Sequence, residues 1–173
     1  FQLSYLPLYL TGNVSHQIMK MNIGYSASNA KSTETAIHQK CLPIYTCKLD
    51  RRTFTQGYAK RHKQYLQLIE NPIRLAYIEE LDRTKMDIEE LKNIVDGREL
   101  DVEILYGTTR IAKHQTHIMS ASKKDFNMET DEGILRRVKV QLYTSKFIAK
   151  DDKKRKIDET KHIYEKILNF EKT

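Results

Sequence analysis

Residues 24–33, GYSASNAKST, give the strongest indication of the fold. It approximates a phosphate-binding loop, G-x-x-x-x-G-K-[ST], in which small residues let backbone N–H groups surround the phosphates of a nucleotide. Lys31 and Ser32 stand at the lysine and hydroxyl positions, but Ala30 replaces the glycine that normally precedes the lysine. Gly24, the first glycine, lies one place early, so the stretch predicts an altered phosphate-binding loop.

The sequence around the loop predicts a strand, the loop and a helix in that order. Met19, Met21 and Ile23 recur with a period of two, which is typical of a strand that ends at Gly24. The stretch KSTETAIHQKC, residues 31–41, predicts a helix that begins directly at the loop. This order is the context that a phosphate-binding loop requires.

A second motif, LAYIEE at residues 75–80, is an apolar strand that ends in two carboxylates. In such a pair, one carboxylate supports the Mg²⁺ ion that the loop serine also ligates, and the next polarises the attacking water. Alone, Glu79 and Glu80 are more typical of polar residues at a strand end, but after the loop and helix they indicate a hydrolytic centre. We therefore expect Lys31 and both carboxylates to converge on one triphosphate pocket, from adjacent strands.

Composition sets the class of protein and its partners. The 173 residues carry a formal net charge of +7, which favours a polyanionic partner. No stretch approaches the roughly 20 apolar residues that cross a bilayer, and no secretory signal is present. Because the chain begins at Phe1, we expect a piece of a longer, non-secreted polypeptide. Cys41 and Cys47 fit a reduced compartment better than a zinc site or a disulfide.

The pattern of helices and strands predicts an α/β fold with a central, mostly parallel sheet. Beyond the two motifs it predicts helices over residues 1–12, 55–71 and 87–97, a strand within 42–49 and another within 133–147, and a long hairpin on both sides of Gly107. We expect residues 1–147 to form one ATPase core. The charged segment 148–173, in which Ile163, Ile167 and Phe170 recur at helical spacing, is expected to be a helical tail or the edge of a following domain.

Several further stretches occur in the order of a known family. They are LTG at residues 10–12, LPIYTCKLDRRTF at 42–54, NPIRLAYIEELDRTKMDIEELKNIVDG at 71–97, VEILYGTT at 102–109, MSASKKDFN at 119–127 and DEGILRRVKVQLYTSKF at 131–147. Together with the loop, they resemble superfamily 3 helicases, most closely the helicase core of the primase–helicases of large nucleocytoplasmic DNA viruses. The resemblance implies an AAA+-type P-loop NTPase that forms hexamers and couples ATP hydrolysis to translocation on single-stranded DNA in viral replication.

The resemblance also implies roles for particular residues. Lys31 would neutralise the phosphates, Ser32 and Glu79 would hold Mg²⁺, Glu80 would polarise water, and Arg136 or Arg137 would reach a neighbouring subunit's site. The nucleotide site as a whole would comprise Gly24, Ser28, Asn29, Ala30, Lys31, Ser32, Thr33 and Lys123. The hairpin around residues 106–117 matches a pre-sensor hairpin whose tip grips the DNA backbone, with Arg110, Lys113 and His114 as candidates. A primase region on the same full-length chain and a location in the host cytoplasm or nucleus follow from the same resemblance.

Two departures from the family pattern predict weakened catalysis. If residue 30 needs a left-handed backbone, its methyl group costs roughly 1–2 kcal/mol. Lys123 stands where the family has an asparagine that senses the γ-phosphate, and lysine donates hydrogen bonds without accepting them. A non-catalytic DNA-binding or ring-scaffold paralogue is therefore the alternative function. A small P-loop kinase is a third, less supported by the paired acids and by the lack of an arginine-rich lid.

Overall fold

A five-stranded parallel sheet forms the centre of the protein. The computed structural model describes residues 2–81, 86–104, 107–123, 132–149 and 157–166. Its helices are α1 (Gln2–Thr11), α2 (Lys31–Cys41), α3 (Arg61–Glu70), α4 (Ile88–Val95) and α5 (Glu132–Leu135). Its strands are β1 (Met19–Ile23), β2 (Thr46–Lys48), β3 (Leu75–Glu79), β4 (Glu99–Ile104), β5 (Thr108–Lys113), β6 (His117–Ser122), β7 (Val138–Leu142), β8 (Lys146–Ile148) and β9 (Ile163–Glu165). The central sheet has the order β2-β3-β6-β1-β7.

All four pairs of neighbouring strands in this sheet are parallel, which confirms the predicted α/β fold with a central parallel sheet. Every residue of β1 is buried. A strand that is buried on both faces is expected where helices cover both sides of a parallel sheet.

Two clusters of apolar side chains cover the two faces of the sheet. On one face, Met21 and Ile78 pack in a large core that includes Leu68 of α3 and Leu91 of α4. On the other, Leu75, Met119 and Tyr77 pack with Tyr5 and Tyr9 of α1 and with Leu42 beyond α2. The protein is therefore a three-layered arrangement with the parallel sheet in the middle.

The helices follow their sequence signals closely, except at one boundary. Helix α2 has the predicted bounds, and α4 begins after Asp87, whose side chain accepts a hydrogen bond from the backbone N–H of Glu90 at 3.1 Å. Helix α3 begins only at Arg61, six residues later than predicted, because residues 51–58 form turns. Within the described residues, no helix is long and apolar enough to cross a membrane.

The predicted long hairpin is only partly correct. Strands β4 and β5 pair antiparallel on either side of Gly107, but β6 leaves the hairpin and enters the central sheet between β1 and β3. The burial of the two segments explains the difference. Residues Thr108–Lys113 of β5 are mostly exposed, whereas His117–Ser122 of β6 are almost entirely buried.

The predicted helix in the charged tail is wrong for the part of the tail that is described. Residues Glu159–Lys161 form a single 3-10 turn, and Ile163 lies in β9, which pairs in parallel with β8. Ile163 and Tyr164 suit a strand by their side-chain shapes, and pairing with β8 satisfies their backbone. Ile167 and Phe170 lie outside the described residues. Strand β8 crosses the expected boundary between residues 147 and 148, and the division into two domains stays a prediction.

Candidate nucleotide site

The loop between β1 and α2 has a backbone that favours glycine at two places. Ser28 has a φ of 60° and Ala30 a φ of 68°, both in the left-handed region. A residue with a β-carbon pays roughly 1–2 kcal/mol for this conformation. Residue 30 therefore has the left-handed backbone on which the predicted cost depends, and alanine is strained at this position.

The ammonium of Lys31 lies within the loop. Its side chain is only 8% exposed, and Nζ donates hydrogen bonds to the carbonyl oxygen of Gly24 at 3.0 Å and to Oδ1 of Asn29 at 3.2 Å. An added β-carbon on Gly24 would lie 2.8 Å from Lys31 Nζ and 3.0 Å from Asn29 Cγ, so only glycine leaves room for this packing. Both acceptors are uncharged, and among the described residues no carboxylate forms an ion pair with this ammonium.

Burial lowers the pKa of Lys31, and two charged groups modify the effect. Glu80 acts in the opposite direction and raises this pKa, whereas Lys123 lowers it further. The three side chains therefore interact electrostatically, and Lys123 Nζ lies 3.5 Å from Oε1 of Glu80. Lys31, Glu80 and Lys123 all follow the carboxyl ends of strands of the parallel sheet, the edge where open α/β sheets bind their ligands.

The expectation that the loop and the acidic pair emerge from adjacent strands is wrong. Strand β6 lies between β1 and β3. It joins the two, because its Ser122 carbonyl accepts from the Gly24 N–H at 3.1 Å and its Ala121 carbonyl accepts from the Glu80 N–H at 2.8 Å. Sequence order does not reveal which strand is inserted between two others.

The structure separates the two carboxylates of the acidic motif. Glu79 forms an ion pair with Lys48 at the end of β2, and both side chains are 54% exposed. This hydrogen bond to Glu79 is the main reason that the pKa of Lys48 is raised. Sequence reasoning missed Lys48, because only the parallel register of β2 with β3 brings it opposite Tyr77, near Glu79.

The implied Mg²⁺ fits the donors at this edge. Among the described residues, no group of three or more His, Cys, Asp or Glu side chains is placed to hold a metal. Magnesium usually takes one or two protein ligands and completes its shell with phosphate and water. Ser32 and Glu79 are exposed and carry oxygen atoms of the kind that Mg²⁺ takes, and Glu79 is paired with Lys48.

The arginine pair divides into one buried and one exposed side chain. Arg137 is buried and pairs with both oxygens of Asp96, at 2.6 Å from Nε and 2.7 Å from Nη2. Its remaining Nη1 donates to the Gly133 carbonyl at 2.6 Å. The assignment of Arg137 to a neighbouring subunit's site is therefore corrected, since its guanidinium ties β7 to the end of α4. Arg136 is exposed and remains the candidate.

The hairpin candidates divide in the same way. Arg110 and Lys113 are exposed on β5, whereas His114 is buried. Nδ1 of His114 accepts from the Thr116 N–H at 3.2 Å, and burial lowers the pKa of this histidine to about 4. His114 is a neutral core residue at the turn into β6, so its assignment as a DNA contact is corrected.

The fold and this loop define an α/β protein with a parallel sheet and a lysine-bearing loop at its carboxyl edge. No protein-family model matches the chain, and no curated protein sequence matches it. Solved structures do match. One, the A form apo structure of the NrS-1 C-terminal region, superposes with a TM-score of 0.57 at 10% identity, over 80% of this chain and 33% of that one.

A second chain of the NrS-1 C-terminal region gives a TM-score of 0.52 at 10% identity, over 80% of this chain and 32% of that one. At this identity the likeness shows a shared fold. The chain spans about a third of the length of the solved chains that it matches.

Proposed function

We propose that this chain is an AAA+-type P-loop NTPase core that binds ATP and Mg²⁺ and serves as a DNA helicase of the superfamily 3 kind in viral replication. The observation that carries the proposal is the position of Lys31. Its ammonium lies at the start of α2, next to a loop in which Ser28 and Ala30 have left-handed backbone. It donates to two neutral oxygens, and Glu80 is near enough to raise its pKa. A helix N-terminus with a buried lysine is a favourable place for phosphate groups.

The proposed mechanism assigns one task to each group. Backbone N–H groups of residues 25–31 and the Lys31 ammonium would bind the phosphates, and Ser32 and Glu79 would hold Mg²⁺, which would balance phosphate charge when bound. Glu80 orients the attacking water. Arg136 completes a neighbouring subunit's site in a homo-oligomeric ring of six, and Arg110 and Lys113 contact the backbone of single-stranded DNA. A primase region on the same polypeptide and a site of action in the host cytoplasm or nucleus belong to this proposal.

The environment of Glu80 supports weakened hydrolysis within this function. An ammonium beside the carboxylate stabilises its charged form but competes with water for its oxygens. Ala30 adds strain to the same site. Both features also favour the second candidate, a non-catalytic DNA-binding or ring-scaffold paralogue that retains the fold.

Nucleotide binding and turnover distinguish these functions. We expect Mg²⁺-ATP to bind the wild-type chain and Lys31→Ala to abolish binding, measured by titration calorimetry. Lys40→Ala, an exposed lysine in the last turn of the same helix, is the matched control and is expected to bind normally. Phosphate release in the presence of single-stranded DNA then separates the candidates. Release that Lys31→Ala removes supports the helicase, and DNA binding with no release supports the scaffold. An unchanged affinity in Lys31→Ala would refute the nucleotide site.

A further inference from the structure

A lysine is buried inside the sheet behind the phosphate-binding loop. Lys20 of β1 is 2% exposed and lies between Met19 and Met21, whose side chains pack in the large core. Alternation along the strand places Lys20 and Asn22 on the opposite face, where α1 and α2 pack. A buried ammonium is costly unless a carboxylate pairs with it. The partner here is Glu34, in the first turn of α2.

The side chain of Glu34 accepts three hydrogen bonds from two other parts of the chain. Its Oε1 accepts from Lys20 Nζ, and its Oε2 accepts from Asn22 Nδ2 at 2.6 Å and from the Tyr143 hydroxyl. These four residues, Lys20, Asn22, Glu34 and Tyr143, are the Glu34 cluster. Glu34 lies three residues after Lys31, and its backbone N–H donates to the Ala30 carbonyl at 3.0 Å. The cluster therefore holds the first turn of α2, which contains Lys31, against β1.

The segment after β7 is hydrogen-bonded to the residue just before the loop and to a residue within it. The Tyr143 N–H donates to the Ile23 carbonyl at 2.7 Å, at the end of β1, and the Phe147 N–H donates to the Ser28 carbonyl at 2.8 Å. Left-handed residues such as Ser28 and Ala30 persist only where the surrounding structure holds them. Here the surrounding structure is this segment on one side and the Glu34 cluster on the other.

We infer that Glu34 is a positioning residue of the phosphate-binding loop, which it holds, through Lys20, Asn22 and Tyr143, in its binding geometry before any nucleotide arrives. The inference rests on the proposed function in that its ligand is the triphosphate of a nucleotide. Glu34 touches none of the reacting groups. It acts through Lys31 and Ala30, and none of the residues in the cluster belongs to the phosphate-loop motif itself.

The test exploits a property of buried ion pairs. Replacing both partners by apolar residues of similar volume is often neutral for stability, whereas removing one is not. We expect Lys20→Met combined with Glu34→Leu to fold but to melt below the wild-type temperature, because the Asn22 amide and the Tyr143 hydroxyl lose this acceptor. If the cluster positions the loop, the backbone amides of residues 25–31 exchange hydrogen faster in this variant, while those of α3 and α4 do not. The affinity for Mg²⁺-ATP then falls by about tenfold, which corresponds to about 1.4 kcal/mol of binding free energy.

Two further variants keep the test decisive. Glu89→Gln with Lys92→Gln removes an ion pair on α4 and is expected to leave loop exchange unchanged. If the apolar double variant does not fold, Tyr143→Phe removes one hydroxyl from the cluster and is expected to speed loop exchange and weaken nucleotide binding severalfold.

The inference is overturned if residues 25–31 exchange hydrogen at wild-type rates in the folded apolar double variant. If the double variant does not fold, the same result in Tyr143→Phe overturns it. Exchange is measured without nucleotide. A wild-type chain that binds no ATP therefore refutes the proposed function, and loop exchange still decides the role of Glu34.

Discussion

The Nζ atom of Lys123 lies 3.5 Å from Oε1 of Glu80, and both side chains are more than half exposed. Exposed ion pairs contribute little to stability, with a median of about 0–1 kcal/mol. The pair therefore matters for the chemistry of Glu80 rather than for the fold.

Replacing Lys123 by asparagine is expected to increase ATP hydrolysis. Lys123→Asn releases the Glu80 carboxylate and supplies a side chain that both donates and accepts hydrogen bonds. Positioned general bases contribute typically 10²–10⁴-fold, so partial recovery should raise phosphate release about tenfold or more. The combination Lys123→Asn and Glu80→Gln is the control and should lose the gain. Phosphate release no faster than in the wild type would contradict this role for Lys123.

Restoring glycine at residue 30 is expected to stabilise the protein. Ala30→Gly removes left-handed strain of roughly 1–2 kcal/mol. Because glycine loses more conformational entropy on folding than alanine, the net gain in the free energy of unfolding is about 0.5–1 kcal/mol. Ala36→Gly, inside α2, is the matched control and should lose about 1 kcal/mol. Urea unfolding measures both. A loss at both positions would mean that the left-handed geometry of Ala30 carries no cost.

The two neighbouring arginines are expected to behave differently. Arg137→Met leaves the buried carboxylate of Asp96 with the longer contact to Arg98 at 3.7 Å, and should cost at most about 3–5 kcal/mol of unfolding free energy. Arg136→Met, at an exposed side chain, should change it by no more than about 0.5 kcal/mol, yet lower turnover of the assembled protein by about 10³-fold. Urea unfolding and phosphate release measure the two effects. A stable Arg137→Met variant with lost turnover would return the catalytic role to Arg137.

His114 is expected to make stability depend on pH. Burial lowers its folded-state pKa to about 4, below the ordinary value of 6.5. Between these values the unfolded chain binds the proton and the folded protein does not, so stability falls as pH drops from 6.5 towards 4, by at most about 1.4 kcal/mol per pH unit. His114→Phe should reduce this slope. Burial also lowers the pKa of His38 and His117, so part of the slope remains. Parallel curves for variant and wild type would contradict the prediction.

The exposed cations of β5 are expected to set the salt dependence of DNA binding. Each lysine or arginine on a phosphate contributes about 0.7 to the slope of log K against log salt for single strands. Arg110→Ala with Lys113→Ala should therefore reduce the slope by about 1.4, measured by fluorescence anisotropy at several salt concentrations. Lys139→Ala, an exposed lysine on β7, is the control. Equal slopes in wild type and variant would exclude the hairpin from the DNA interface.

Local patterns in the sequence were enough to predict the individual elements. Period-two apolar residues gave β1, the small residues before Lys31 gave the loop, and α2 has the bounds that its pattern predicts. These features depend on residues close together in the chain, where side-chain period and backbone preference act directly. The left-handed strain at Ala30 was foreseeable for the same reason.

Which predicted site residues are accessible, and which side chains contact one another, depended on the packing of distant segments. The insertion of β6 between β1 and β3 placed Lys123 beside Glu80, and the packing of α4 against the start of β7 buried Arg137 on Asp96. Glu34 gained its role from Lys20 and Tyr143, which are 14 and 109 residues away along the chain. Such pairings are set by strand order and by the burial of whole faces, which are properties of the packed chain and not of any local stretch of sequence.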